Sequence, residues 1–126
     1  MSNLSNPIPE WLQQQAASDR LLVTPDVMSL DEAAGNSLAD CLQKFVASNS
    51  DHAPLPVVID LRKVKLITSP GIGALILIHR RLKSQGMVLI ILHPAPMVVA
   101  SLEFLKLDQM LTICRTTEEV EEALRG

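Results

Sequence analysis

The spacing of apolar and polar positions changes several times along the chain, and each change marks an element. Residues 1–9 hold Asn, Ser and two prolines and follow no period, so they form a flexible lead-in to a single domain over residues 10–126. Trp11 to Gln15 and Leu21 to Thr24 are short extended candidates on either side of the turn-prone Ala17-Ser18-Asp19. They predict an N-terminal hairpin, although Gln13 to Gln15 would also suit a helix. Ser29-Leu30-Asp31-Glu32 has the spacing of a capping box, with the Ser29 hydroxyl and Glu32 carboxylate each meeting the other's backbone N–H. Ala34, Leu38, Cys41, Leu42 and Phe45 then recur at three and four residues, the apolar stripe of a helix lying on a sheet. Asn49 to Pro56 is the clearest loop, since Pro54 and Pro56 bar regular hydrogen bonding.

From residue 57 onward strands and helices alternate. Val57 to Leu61 is a continuous apolar run around one carboxylate, the mark of a central strand covered on both faces. Leu66-Ile67 makes a short apolar approach to Thr68-Ser69-Pro70-Gly71, a strong helix start with Ser69 as N-cap and Pro70 as first helical residue. That helix runs to about Gln85, with Gly86 as its stop and Ile72, Leu75, Ile76, His79 and Leu82 on its inner face. Met87 to Leu92 is a second buried strand, and His93-Pro94-Ala95-Pro96 is its exit turn. Met97 to Leu105 is a helix with Val98, Leu102 and Leu105 inward. Leu111 to Cys114 is a short strand, and Thr116-x-x-Glu119 is a second capping box ahead of Val120, Ala123 and Leu124. The alternation predicts an α/β fold, a mixed and mostly parallel β-sheet of four to five strands packed with about four α-helices.

Composition narrows the function. The chain has 126 residues, 48% hydrophobic and 20% charged, enough for one core without staples or metals. A net charge of −3 and 2% aromatic residues leave no basic footprint for phosphate backbones and few rings for base stacking, so no nucleic-acid partner is expected. Cys41 and Cys114 sit in separate apolar segments and are expected to be reduced core thiols. The amino-terminal residues lack a signal-peptide pattern, and the longest apolar stretches fall short of the ~20 residues that cross a bilayer. A cytoplasmic protein with no membrane insertion is expected.

Catalytic chemistry finds little to stand on. Gly71-x-Gly73 opens a helix after a strand, but the third glycine of a dinucleotide fingerprint would fall at Ile76, and no phosphate-loop motif occurs. No cofactor is expected. His52, His79 and His93 are spread over a loop, a helix and a turn without metal-ligand spacing, and no nucleophilic constellation can be assembled. Asp60, at the carboxyl end of the central strand, is either a binding group or an acceptor for the loop after it. What remains is a helix start displaying Thr68 and Ser69 beside Gly71 and Gly73.

The segment VVIDLRKVKLITSPGIGALILIHRRLKSQGMVLIILHPAPMVVASLEFLKLDQMLTICRTTEEVEEAL, about residues 56 to 124, resembles the STAS domain of bacterial anti-sigma factor antagonists. Those proteins carry a strand ending in D-L, an apolar approach, D-S-S-G-x-G, a helix, a further strand, a short helix and a terminal E-E-A-L helix. Leu22 to Phe45 matches the preceding strand and helix more loosely. The resemblance implies a non-enzymatic regulator whose partner is an anti-sigma factor/serine kinase, bound by the unphosphorylated form and released on phosphorylation of a serine at the helix start. It implies a partner-binding surface at Thr68, Ser69, Pro70, Gly71 and Gly73, with Asp60 nearby. The family's D-S-S-G here becomes Thr68-Ser69-Pro70-Gly71, so the usual phosphoacceptor position is Pro70, which has no hydroxyl. Either Ser69, or less readily Thr68, takes the phosphate, or the protein is an accessory or scaffold STAS subunit of a stress-sensing assembly or lipid-transport complex, with no such switch.

Overall fold

The computed structural model describes residues 12–16, 20–48 and 55–125. The alternating residues of the amino-terminal part form a hairpin of β1 (Leu12–Ala16) and β2 (Leu21–Pro25), paired antiparallel as expected. The expected lead-in over residues 1–9, the turn at 17–19 and most of the loop at 49–56 lie outside the described residues. Beyond the hairpin come β3 (Ser29–Leu30), α1 (Glu32–Ser48), β4 (Val57–Asp60), β5 (Leu66–Ile67), α2 (Ser69–Ser84), β6 (Leu89–Leu92), α3 (Pro96–Phe104), β7 (Thr112–Cys114) and α4 (Thr117–Arg125).

The main sheet has the order β1-β2-β4-β6-β7, parallel throughout except for β1. The apolar run of β4 occupies its centre. Strand geometry turns successive side chains to opposite faces, so Leu21, Val23, Val57, Ile59, Leu89 and Ile91 pack under α1, α2 and α3. Val58, Ile90, Leu92 and Cys114 point the other way and are covered by Val120 of α4. Every residue of β4 and β6 is buried, and full burial of one Leu or Ile is worth about 1.5–3 kcal/mol. Arg20 clamps α4 to the sheet through two hydrogen bonds to the Glu121 carboxylate, at 2.5 and 3.0 Å.

A second, two-stranded sheet joins β3 to β5 in parallel, Ser29 beside Leu66 and Leu30 beside Ile67, at the carboxyl end of the main sheet. This pairing changes the expected start of α1. Ser29 belongs to the strand, and the cap is Asp31, whose Oδ1 accepts the Ala34 N–H at 3.0 Å. Asp is as good an N-cap as Ser, and the pairing of β3 decides between them. The second capping box forms in its first half, where Thr116 Oγ1 accepts the Glu119 N–H at 3.1 Å, while Glu119 reaches one residue past the cap to the Arg115 N–H at 2.8 Å. Ala123 is exposed, while Val120 and Leu124 reach the sheet.

α2 ends as expected, with Gly86 at φ 76°, a left-handed conformation that glycine adopts without strain. Its inner face includes Ile78, which the stripe reading had passed over, while Ile76 and His79 are only half-buried. Leu105 is not inward. It stands just past the end of α3 and is 50% exposed, because Lys106 turns the chain at φ 60° and Leu107 takes the core position instead.

Candidate docking site at the start of α2

Thr68, not Ser69, caps α2. Its backbone is extended, at φ −92° and ψ 168°, and its Oγ1 accepts the Gly71 N–H at 3.2 Å. Both hydroxyl residues suit that role. Thr68 holds it because the small sheet carries it there: its N–H and its hydroxyl both donate to the Leu30 carbonyl, at 3.1 and 3.4 Å. Ser69 therefore becomes the first helical residue and Pro70 the second, where a missing N–H still costs nothing.

The shift by one residue separates the two hydroxyls chemically. Thr68 is half-buried and bonded on both sides. Ser69 and Pro70 are exposed, and the Ser69 hydroxyl has no hydrogen-bond partner among the described residues.

The two glycines divide in the same way. A Cβ on Gly71 would stand 1.9 Å from the Leu30 carbonyl oxygen, so only glycine lets the first turn of α2 lie against β3. A Cβ on Gly73 would meet no atom within 4 Å. Gly73 leaves the outer face of the first turn bare, at the cost of about 1 kcal/mol of helix propensity relative to alanine.

Beside Ser69 runs a groove of about 460 Å³ between α2 and α3, its apolar walls including Ile67, Ile72, Met97 and Phe104. Phe104 is 86% and Met97 62% exposed. The sequence reading did not find this surface. Its signal is α3 itself, where Met97, Val98, Val99, Leu102 and Phe104 are too many for one buried face.

Asp60 is buried, and its carboxylate is spent inside the molecule. Oδ1 accepts the Arg62 N–H at 3.0 Å, and Oδ2 accepts Arg62 Nε at 2.8 Å and pairs with Nη2 at 2.7 Å. That hydrogen bond and charge push the Arg62 guanidinium further up from its ordinary value, so it stays charged. The His93 ring, on a residue at φ 54°, completes the cluster with Nδ1 at 3.4 Å from Asp60 Oδ1 and 3.3 Å from Arg62 Nη2. The group that reaches solvent here is Arg62. Among the described residues no three His, Cys, Asp or Glu side chains are placed to hold a metal, and no helix is long and apolar enough to cross a membrane.

The family model of the STAS domain matches residues 14–123. The chain belongs to the STAS domain family. Its fold is that of the anti-sigma factor antagonists. A candidate anti-sigma factor antagonist from Thermotoga maritima superimposes at TM-score 0.78 with 18% identity, over 93% of this chain and 97% of that one. An anti-sigma factor antagonist STAS domain protein from Planctomyces limnophilus gives 0.74 and 21%, over 91% and 98%. The anti-sigma factor antagonist SpoIIAA in its unphosphorylated form gives 0.64 and 17%, over 91% and 98%. The same Bacillus cell fate determinant in its phosphorylated form gives 0.66 and 16%, over 90% and 98%. No curated protein sequence matches the chain significantly.

Proposed function

We propose that this STAS domain is a non-enzymatic regulatory protein that docks an anti-sigma factor/serine kinase on the amino end of α2, with Ser69 as the residue that takes a phosphate. The observation that carries the proposal is the outer face of the first turn. Ser69 presents an exposed hydroxyl without a partner among the described residues, and Gly73, one turn further on, presents bare backbone. A partner's main chain can come close over Gly73 and still reach Ser69. Thr68 is the weaker acceptor, since modifying its hydroxyl disturbs the cap on Gly71 and removes the hydroxyl's bond to Leu30.

A phosphate on Ser69 adds about −1.5 to −2 charges at the positive end of a helix. The domain has no need to refold. The added charge acts on the partner, through repulsion and steric block where the two surfaces meet. Asp60 contributes only through Arg62, the exposed guanidinium that it holds in place.

Pull-downs with the wild-type, Ser69→Glu and Gly73→Lys chains as bait, followed by ATP, test this. The expected result is a kinase of the ATPase fold held by the wild type and lost by both variants, and one phosphate that Ser69→Ala does not accept. Undiminished phosphate uptake by Ser69→Ala moves the site elsewhere, and associations intact in both charged variants end the docking reading. Pro70, exposed at the family's acceptor position, favours one second reading: an accessory STAS subunit in a stress-sensing assembly or lipid-transport complex. Capture of a scaffold or transporter ATPase without phosphate transfer would select it.

A further inference from the structure

At the opposite end of α2 the molecule holds a second cavity that docking at Ser69 does not use. α1 and α2 run side by side and touch near their starts, where a Cβ on Gly35 would come 2.7 Å from the Ala74 Cβ. Farther along they part. Leu42 and Val46 of α1 and Ile78 and Leu82 of α2 wall a cleft of about 200 Å³. An engineered apolar cavity of about 150 Å³ is large enough to hold benzene, so this cleft accepts an acyl chain segment or a small ring.

Polar residues line it as well: Gln43, Arg81, Ser84 and Gln85. Three carbonyls at this end of α2 are already occupied. Leu82 O accepts the Gln85 and Met87 N–H groups at 3.0 and 2.8 Å, and Lys83 O accepts that of Gly86 at 3.0 Å. Arg81 O accepts the Ser84 hydroxyl at 2.8 Å. Arg81 forms no ion pair among the described residues, and neither do its neighbours Arg80 and Lys83. The positive field of this end is felt by His79, which burial first, then Lys83 and Arg80, hold below the ordinary imidazole value.

We infer that the cleft between the carboxyl-terminal halves of α1 and α2 binds a free amphiphilic carboxylate, its apolar part between Leu42, Val46, Ile78 and Leu82 and its carboxylate on Arg81. An apolar floor alone takes any small hydrophobe. The Arg81 cation, which has no ion pair among the described residues, selects the anion over an uncharged hydrophobe.

Titration with octanoate, followed by calorimetry and by methyl NMR, tests the site, with octan-1-ol as the uncharged control. The expected result is saturable 1:1 binding of octanoate, with methyl shifts centred on Leu42, Val46, Ile78 and Leu82. Arg81→Gln is expected to weaken octanoate about threefold to fivefold, the upper part of the range for an exposed ion pair, and to leave octan-1-ol unchanged. Val46→Trp, at a half-buried position, fills the cleft and is expected to abolish both. Absence of saturable binding, shifts centred elsewhere, or equal octanoate affinity in Arg81→Gln would each overturn the inference. Far-UV circular dichroism confirms that each variant is folded. Because Ser69 lies at the other end of the helix, these outcomes are independent of partner docking.

Discussion

The two ends of α2 meet the same neighbour, α1, yet present opposite surfaces. At the amino end Gly35, Gly71 and Ala74 let backbone approach backbone, and what faces outward beside the groove toward α3 is a hydroxyl and a bare glycine. At the carboxyl end Leu42, Val46, Ile78 and Leu82 hold the helices apart, and an apolar cleft opens under a cationic rim. Side-chain volume along one seam thus decides where the molecule offers backbone and where it offers a pocket. Interiors are packed too densely for such a seam to be uniform when the residues along it change size.

The largest effect is expected from Gly71→Ala. The new methyl would lie on the Leu30 carbonyl, and backbone must shift, at a cost of about 3 kcal/mol, the upper end for overpacking. Chemical denaturation measures it. A loss below about 1 kcal/mol would mean that the first turn of α2 does not lie tightly against β3.

The cap offers a sharper contrast between neighbours. Thr68→Ala is expected to cost about 1 kcal/mol, the usual value of an N-cap side chain. Ser69→Ala, on an exposed residue without a bond among the described residues, is expected to stay within about 0.5 kcal/mol. A reversed order would restore Ser69 as the cap.

Gly73→Ala changes sign. With nothing within 4 Å of the added methyl, the variant is expected to gain about 0.5–1 kcal/mol from helix propensity while weakening partner capture. A glycine kept where alanine is more stable is one retained for contact, and a stabilised variant with undiminished capture would remove that argument.

The smallest effect belongs to the carboxyl end. His79 has its pKa lowered in the folded chain, by burial and then by Lys83 and Arg80, from the ordinary 6.5. Below 6.5 the unfolded chain takes up the proton more readily than the folded one, so stability is full above that pH and declines as pH falls through the folded value. Denaturation midpoints at neutral and mildly acidic pH, for the wild type and for His79→Gln, are expected to show a shallower acid decline in the variant. An identical decline in both would mean that no such field acts at this end.

Much of the fold is legible along the chain because it depends on local spacing. The continuous run at Val57 to Leu61 and the stripe of Ile72, Leu75 and Leu82 each identify an element from its own residues. The stop at Gly86 follows from a local rule too. The site was half legible: Thr68 to Gly73 stands out as a helix start, but which hydroxyl caps it does not. Ser29 and Asp31 show the same ambiguity one helix earlier. In both cases two adequate caps lie close together, and the choice is made by the pairing of β3 with β5, residues that stand 37 positions apart in the register of Ser29 with Leu66.

By itself the sequence determined the helices and the strands of the main sheet, the STAS pattern and the exclusion of Pro70 as an acceptor, because periodicity and side-chain chemistry are properties of single residues and near neighbours. Only the tertiary structure decided that Ser69 is the exposed hydroxyl, that Gly71 and Gly73 have unlike reasons to be glycine, that Asp60 is spent on Arg62 and His93, and that α1 and α2 part over Leu42 and Ile78. Those outcomes depend on distances between segments far apart in the chain, which no local pattern encodes.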